Sequence, residues 1–266
     1  MNYGYNIGAS GVLTAMHRQD VASNNLANMQ TVGFKPDIAF TIPREAARKE
    51  DGLYNLPSNT LLERLGGGVL LAPSRTSFKQ GTITPSANPF DVAIEGDGFL
   101  TVSGGGNGGA AGDQLRLTRD GRMTLNTRGE LVTVADGHRV LDTTGRPITL
   151  NPGLDMVIDS DGAIRQGGQQ VAALGFVDVP KQLRGGTGMH KVGDNLFALS
   201  AATAKSTVPA TGSIRQRAIE ESGSDPIKAM MAVQSAANDV GTTAKIMQIH
   251  DDLMNRAINT LGRVSA

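Results

Sequence analysis

The fold is decided by residues 226–261, PIKAMMAVQSAANDVGTTAKIMQIHDDLMNRAINTL, which follow a helix-start sequence. Asp225 can cap a helix and Pro226 suits its first position. Alternate steps of three and four residues trace a coiled-coil seam with one break, at Asp251. The seam residues are Met230, Val233, Ala237, Val240, Ala244, Met247, Asp251, Met254, Ile258 and Leu261. A helix over 226–261 would be about 54 Å long, too long to lie across a small globule.

Four further apolar residues of this segment lie off the seam: Met231, Ile246, Ile249 and Leu253. One partner helix would leave them in water. Scattered apolar residues are normal on protein surfaces, which is one interpretation. The other is that they contact further subunits.

A second helix is predicted near the N-terminus. Tyr5, Ala9, Val12, Leu13 and Met16 share one face at helical spacing, and the pattern resumes at Leu26 and Ala27. The helix should end near Asn28, because asparagine side chains compete for the backbone and Gly33 supplies a break. Val12, Leu13 and Met16 complete the candidate assembly interface with Met230, Val233, Val240, Met247, Met254, Ile258 and Leu261.

The segment between the helices has a different character. Residues 35–76 lack periodicity and are punctuated by prolines, which predicts an extended arm or linker. Residues 77–217 alternate short apolar runs with Gly-containing turns such as Asp120-Gly121 and Asp136-Gly137, which predicts a mostly antiparallel β domain. The two apolar helices should pair, giving an α+β fold with a discontinuous helical assembly domain over 1–34 and 218–266.

Composition excludes several functions. The chain has 266 residues, with 25 basic and 25 acidic side chains, so no global charge favours nucleic acid. It has no cysteine, and its 34 glycines with 4% aromatic residues suit a turn-rich β body. No apolar run is long enough to span a membrane, and no cleavable secretory signal is expected.

Catalytic and cofactor motifs are also not expected. Gly104, Gly106 and Gly109 satisfy the dinucleotide-turn spacing, but another strand follows where a phosphate-binding helix would be needed, so a hairpin loop is predicted. The four histidines, His17, His138, His190 and His250, have no metal-ligand spacing. We therefore predict no catalytic residue, no cofactor and no metal site.

Two long motifs resemble the flagellar rod and hook protein family. Residues 23–35, SNNLANMQTVGFK, are similar to its N-terminal signature, and residues 88–99, NPFDVAIEGDGF, to its entry into the β domain. The residues that carry this resemblance are Asn24, Asn25, Leu26, Ala27, Asn28, Thr31, Gly33, Phe34, Lys35, Asn88, Pro89, Asp91, Val92, Ala93, Ile94, Gly96, Gly98 and Phe99. Residues 118–121 with 129–132 and residues 193–197 provide further similarities.

The C-terminal similarity is looser. Residues 219–226 resemble the family's Leu-Glu-x-Ser-Asn-Val-Asp-Pro, but Gly223 and Ser224 depart from it. The aromatic pattern that usually precedes Ala244 is replaced by residues 237–240. The ending, residues 255–263, is more similar to the proximal-rod subunit than to the distal-rod subunit.

The resemblance implies a structural subunit of the bacterial flagellar basal-body rod that polymerises into a helical tube and transmits torque. Its partners would be copies of itself, neighbouring rod proteins and the flagellar type III export machinery, without nucleic acid or membrane insertion. It would be a periplasmic protein exported without a cleaved signal. A distal-rod or hook-type subunit is one alternative, and a monomeric extracellular β-domain binding module is another.

Overall fold

The structure, a computed structural model, describes residues 3–46, 49, 52, 66–104, 115–184 and 188–261. The chain divides into two compact units. Unit 1 comprises Met1–Ala27, Asp37–Arg75 and Pro226–Ala266, and unit 2 comprises Asn28–Pro36 and Thr76–Asp225. The domain boundaries drawn from the sequence remain a prediction.

The α-helices in the described ranges are α1 (Tyr3–Ala27), the short α2 (Ala201–Ala204) and α3 (Pro226–Leu261), and a single 3-10 turn covers Lys181–Leu183. The long helix begins at Pro226, as the start signal predicts, and is described as far as Leu261. It passes through Gly241 without a break. The first helix ends at Ala27, one residue before the predicted end.

Unit 1 also contains a two-stranded sheet of β1 (Asp37–Pro43) and β2 (Val69–Thr76). The Arg75 guanidinium lies 5.1 Å from the centroid of the Phe40 ring, a cation–π contact between the two strands. The segment predicted as an arm therefore begins and ends in paired strands. Residues 47, 48, 50, 51 and 53–65 of that segment lie outside the described residues.

Unit 2 is built from short strands. They are β3 (Ile83–Pro85), β4 (Val92–Glu95), β5 (Phe99–Ser103), β6 (Leu115–Thr118), β7 (Met123–Leu125), β8 (Leu131–Thr133), β9 (Met156–Ile158), β10 (Ala163–Gln166), β11 (Gln169–Ala173), β12 (Phe176–Asp178), β13 (Met189–Gly193), β14 (Leu196–Leu199), β15 (Val208–Pro209), β16 (Ser213–Gln216) and β17 (Ala218–Glu220). A six-stranded antiparallel sheet has the order β13-β14-β6-β5-β12-β15.

Smaller antiparallel sheets complete unit 2: β11-β10-β9, β16-β4, β17-β3 and β7-β8. Strands β5 and β6 pair as predicted, but the glycine-rich residues 105–114 between them lie outside the described residues. The strands β16 and β17, late in the chain, pair with β4 and β3. Unit 2 is therefore closed by contacts between segments more than 100 residues apart.

The central strand β5 serves two hydrophobic cores because successive side chains of a strand point to opposite faces. Leu100 and Val102 belong to the larger core with Met123 and Ile164. Phe99 belongs to a second core, where its ring lies 5.7 Å from that of Phe197 and 5.8 Å from that of Phe78. This cluster uses three of the seven phenylalanines, which explains how a chain poor in aromatic residues builds a β core.

The predicted α+β class, with paired terminal helices and a central antiparallel β unit, is confirmed.

Candidate functional site

Helices α1 and α3 pack antiparallel, and they meet through very small side chains. A Cβ atom at Gly8 would lie 2.7 Å from Cγ of Met247, and one at Gly11 would lie 3.0 Å from Cγ2 of Thr243. Because neither glycine carries a side chain, the two backbones approach closely. The pairing of the two helices therefore depends on the steric fit of these glycines against α3.

The line of small residues continues along α1. Ala15 and Ala22 are buried and follow Gly8 and Gly11 at the steps of three, four and seven that keep one helical face. We call Gly4, Gly8, Gly11, Ala15 and Ala22 the small-residue line. Sequence reasoning missed it because hydrophobic periodicity is dominated by large side chains. The regular spacing of small residues is the signal that could have found it.

The residues of α3 that pack against the small-residue line are not all those of the predicted seam. Val233, Val240 and Met247 are half-buried and belong to both. At two other places the buried residue is the one before the seam residue. Ala229 and Ala236 are buried, whereas the seam residues Met230 and Ala237 are exposed. The small alanines pack more closely than methionine against the small-residue line, which explains the shift by one position.

The end of α3 extends beyond the described part of α1. A Cβ atom at Gly4, near the start of α1, would contact the His250 ring. Residues 251–261 therefore extend about 16 Å past this point, at 1.5 Å per residue. Met254 and Ile258 keep the phase of the pairing face but are exposed. The Leu261 side chain lies outside the described atoms.

The large apolar side chains of α1 lie on another face. Tyr5, Leu13 and Met16 are 44%, 57% and 49% exposed, and Val12 is half-buried. At 3.6 residues per turn, their mean direction is about 120° from the small-residue line. The apolar face found in the sequence is therefore not the face that pairs with α3.

Helix α3 likewise exposes two apolar patches. The first patch is Ile227, Met230 and Met231 in its first turns. The second is Ile246, Ile249 and Leu253, which share one face at steps of three and four and are 51–59% exposed. The four apolar residues noted off the seam are thus all exposed in unit 1. None of the helices in the described part of the chain is long and apolar enough to cross a membrane.

We expect Gly8→Leu to weaken the helix pair. The new side chain must displace Met247, and overpacking costs roughly 1–3 kcal/mol. The gain in helix propensity returns only up to about 1 kcal/mol. Gly241→Leu is the matched control, because a Cβ atom there meets nothing within 4 Å. Circular dichroism melting should show an earlier loss of helix for Gly8→Leu alone, and equal melting of both variants would contradict the glycine contact.

The first family motif begins by fixing the end of α1 within unit 1. Asn25 donates from Nδ2 to the Asp37 carbonyl at 2.7 Å and accepts from the Asp37 amide at 2.9 Å. One side-chain amide therefore satisfies both backbone groups of the first residue of β1. This explains why an asparagine suits position 25.

The second half of that motif, residues 31–35, is embedded in unit 2. Gly33 adopts φ +69° and donates its amide to the Glu220 carbonyl at 2.7 Å. Asn195 donates to the Val32 carbonyl at 2.8 Å, and the Gly223 amide donates to the Phe34 carbonyl at 2.9 Å. A Cβ atom at Gly33 would also clash with the Arg119 carbonyl. Position 33 therefore requires glycine for both its backbone angle and its space.

Lys35 ends the motif in a buried ion-pair cluster with Glu220 and Arg119. The Lys35 Nζ lies 2.6 Å from Glu220 Oε1, and an Arg119 guanidinium nitrogen lies 3.1 Å from Glu220 Oε2. The Gly81 amide also donates to Glu220, and all three charged side chains are buried. Burial lowers the pKa of Lys35, and the charge of Glu220 opposes that shift. The cluster joins three distant segments, and sequence analysis assigned Arg119 and Glu220 no role.

The second family motif forms a turn in front of β4. Asn88 donates to the Asp91 carboxylate at 2.7 Å and accepts from the Phe90 amide at 3.1 Å. Gly96 and Gly98, after β4, adopt φ +93° and +145°. Between them, Asp97 accepts from Arg184 at 2.9 Å, a hydrogen bond that lowers the pKa of Asp97.

The remaining motif residues differ in how far they are buried. Asp91, Val92, Ala93, Ile94, Gly98 and Phe99 are buried, Leu26, Asn28, Thr31 and Pro89 are half-buried, and Asn24, Ala27 and Gly96 are exposed. The motif residues are therefore mainly buried or half-buried, and several of them hold turns and the ends of helices and strands. The large exposed apolar side chains of α1 and α3 lie outside both motifs.

Two family models match the chain. The model described as flagella basal body rod protein matches residues 6–35, and the model for the flagellar hook protein FlgE/F/G D1 domain matches residues 93–166. They cover most of α1 with the first motif, and β4 to β10 of unit 2. Both models describe components of the bacterial flagellum.

Similar proteins align along nearly the whole chain. The flagellar basal-body rod protein FlgF of Caulobacter vibrioides is 32% identical, with 97% of this chain and 98% of the relative covered. The rod protein FlgG of the same organism is 28% identical, with 92% and 94% covered. FlgF of Rhizobium meliloti is 29% identical, with 98% and 99% covered. The chain therefore belongs to the flagellar basal-body rod proteins, a family of structural proteins.

Proposed function

We propose that this rod protein polymerises through the outer faces of α1 and α3 into a helical tube that transmits torque, and that it occupies the proximal rod. The observation that carries the proposal is the apolar character of those faces. Tyr5, Leu13 and Met16 on α1, and the patch Ile246, Ile249 and Leu253 on α3, remain exposed after the helices have paired.

Energetics support burial of these faces in an assembly. Each large apolar side chain contributes roughly 1.5–3 kcal/mol when it is fully buried. Together the six side chains provide enough free energy to offset a substantial part of the cost of association. Small-residue pairing on one face leaves large apolar residues exposed on another, where neighbouring copies can cover them.

Residues 251–261 of α3, the overhang that extends past α1, suggest how copies join. Met254 and Ile258 keep the phase of the pairing face beyond the start of α1, and they are exposed. A neighbouring copy along the rod can cover them with its own helices. Such a head-to-tail contact does not close on itself, which is the geometry of a helical filament. The partners would be further copies and neighbouring rod proteins.

Location and export complete the proposal. A rod subunit at the basal body would lie in the periplasm, and we assign its export to the flagellar type III machinery. The proximal position rests on the resemblance of residues 255–263 to the proximal-rod subunit. We assign the protein no catalytic role.

Deletion of residues 226–266 tests the assembly role of α3. The truncated chain should keep a folded unit 2 and fail to enter the rod, because the exposed patches and the overhang are lost. Motility assays with the truncated chain in a deletion strain, and circular dichroism of the purified truncated chain, measure the two outcomes. Normal swimming of that strain would refute the proposed role of α3.

A further inference from the structure

His138 is a buried side chain whose ring has no partner among the described residues. It is 6% exposed, and neither Nδ1 nor Nε2 has a hydrogen bond. Its backbone is held in place, because its amide donates to the Thr133 hydroxyl at 3.0 Å and its carbonyl accepts from the Thr133 amide at 2.9 Å. A buried polar group without a partner is rare and calls for a ligand or another explanation.

Two carboxylates flank this imidazole, and each comes from a turn. Asp136 precedes Gly137 in the turn after β8, and Asp194 lies in the turn between β13 and β14. Asp194 and Asn195 adopt φ +48° and +55°, the left-handed pair of a tight hairpin turn. One ligand atom of each of Asp136, His138 and Asp194 lies within 4.8 Å of the other two.

Arg122 is a cation near this cluster, but its guanidinium pairs with another carboxylate, Asp120. The Arg122 guanidinium donates to Asp120 at 2.7 and 3.0 Å. This hydrogen bond, and less strongly the charge of Asp136, raises the pKa of Arg122. Both Asp136 and Asp194 are exposed, and neither forms an ion pair within the described part of the chain. Two carboxylates and one unpartnered imidazole nitrogen therefore lie within 4.8 Å of one another.

Although the sequence predicts no metal site, we propose that Asp136, His138 and Asp194 form a binding site for a divalent transition metal of the zinc type. Imidazole nitrogen favours zinc and its neighbours over magnesium or calcium, and two carboxylates supply the compensating charge. Ligand atoms around tetrahedral zinc are about 3.3 Å apart, given bonds of about 2.0 Å. The three groups must therefore close by up to roughly 1.5 Å, which rotation of the two exposed aspartate side chains can provide.

The bound ion would join the turn after β8 to the β13–β14 hairpin. These turns are about 60 residues apart in the chain, so the ion would link distant segments of unit 2. Because an ion that binds only the folded state stabilises it, the site predicts a metal-dependent melting temperature. His138 and Asp194 are far apart in sequence, which explains why ligand spacing does not reveal them.

Isothermal titration of the untagged full-length chain with zinc chloride, after dialysis against EDTA, tests the site. We expect saturable binding of one zinc per chain and a zinc-dependent rise in melting temperature, and neither with magnesium chloride. Asp136→Asn, Asp194→Asn and His138→Gln should each weaken zinc binding at least about tenfold, since even loss of an outer-shell partner costs that much. His190→Gln is the matched control, because His190 is exposed and belongs to unit 2.

The two aspartate variants test the site even if His138→Gln does not fold. Asparagine tolerates the left-handed backbone at position 194, so Asp194→Asn retains the turn while it removes a carboxylate. If His138→Gln fails to fold, the two exposed aspartate positions carry the result. Absence of saturable zinc binding, or equal affinity of wild type, Asp136→Asn and Asp194→Asn, would overturn the proposal.

Discussion

Ile249→Asp is expected to abolish swimming while the isolated subunit keeps its fold. Ile249 is 51% exposed on α3, so the charge costs little in the free subunit. At an assembled interface the same carboxylate would be buried without a partner, which costs several kcal/mol for each copy. Soft-agar motility and electron microscopy of basal bodies from the variant strain measure the loss.

Gln248→Asp is the matched control for that experiment. Gln248 is an exposed polar neighbour on the same helix, pointing about 100° away from Ile249. It adds the same charge outside the apolar patch, so its strain should swim more nearly like wild type. Equal motility of both variant strains would contradict the assignment of this patch to assembly.

Glu220→Ala should destabilise unit 2 by about 3–5 kcal/mol, the usual cost of removing one partner from a buried ion pair. Lys35 and Arg119 would be left with buried charges, and the Gly81 amide would lose its acceptor. Chemical denaturation of the purified chain, followed by circular dichroism, measures the change in free energy of unfolding.

Glu221→Ala provides the comparison, because Glu221 is the exposed next residue. Substitutions at exposed positions usually change stability by less than about 0.5 kcal/mol. A denaturation midpoint for Glu220→Ala as high as that of Glu221→Ala would show that the cluster contributes no net stability.

The helices could be predicted well from sequence because their signals are local. Pro226 marks the start of α3, and the apolar period continues to Leu261, where the described helix ends. The phase of the pairing face could not be predicted in the same way. Glycine and alanine carry little hydrophobic signal, so periodicity indicates Leu13 and Met230 and not Gly8 and Ala236.

The β unit was predicted as a class but not as a topology. Turns such as Asp120-Gly121 are encoded locally, whereas partners such as β4 and β16 are about 120 residues apart. The motif residues were found from resemblance, but the role of Lys35 depends on Glu220, 185 residues later in the chain. Long-range pairing of this kind has no local sequence signal.

The most direct test of the account is the accessibility of position 249 before and after assembly. The chain has no cysteine, so Ile249→Cys introduces a single thiol and keeps the site apolar. A maleimide reagent should label the dilute subunit, leave purified basal bodies unlabelled, and label the same basal bodies after their disassembly in urea. Rapid labelling of the introduced thiol in intact basal bodies would contradict burial of this face in the rod.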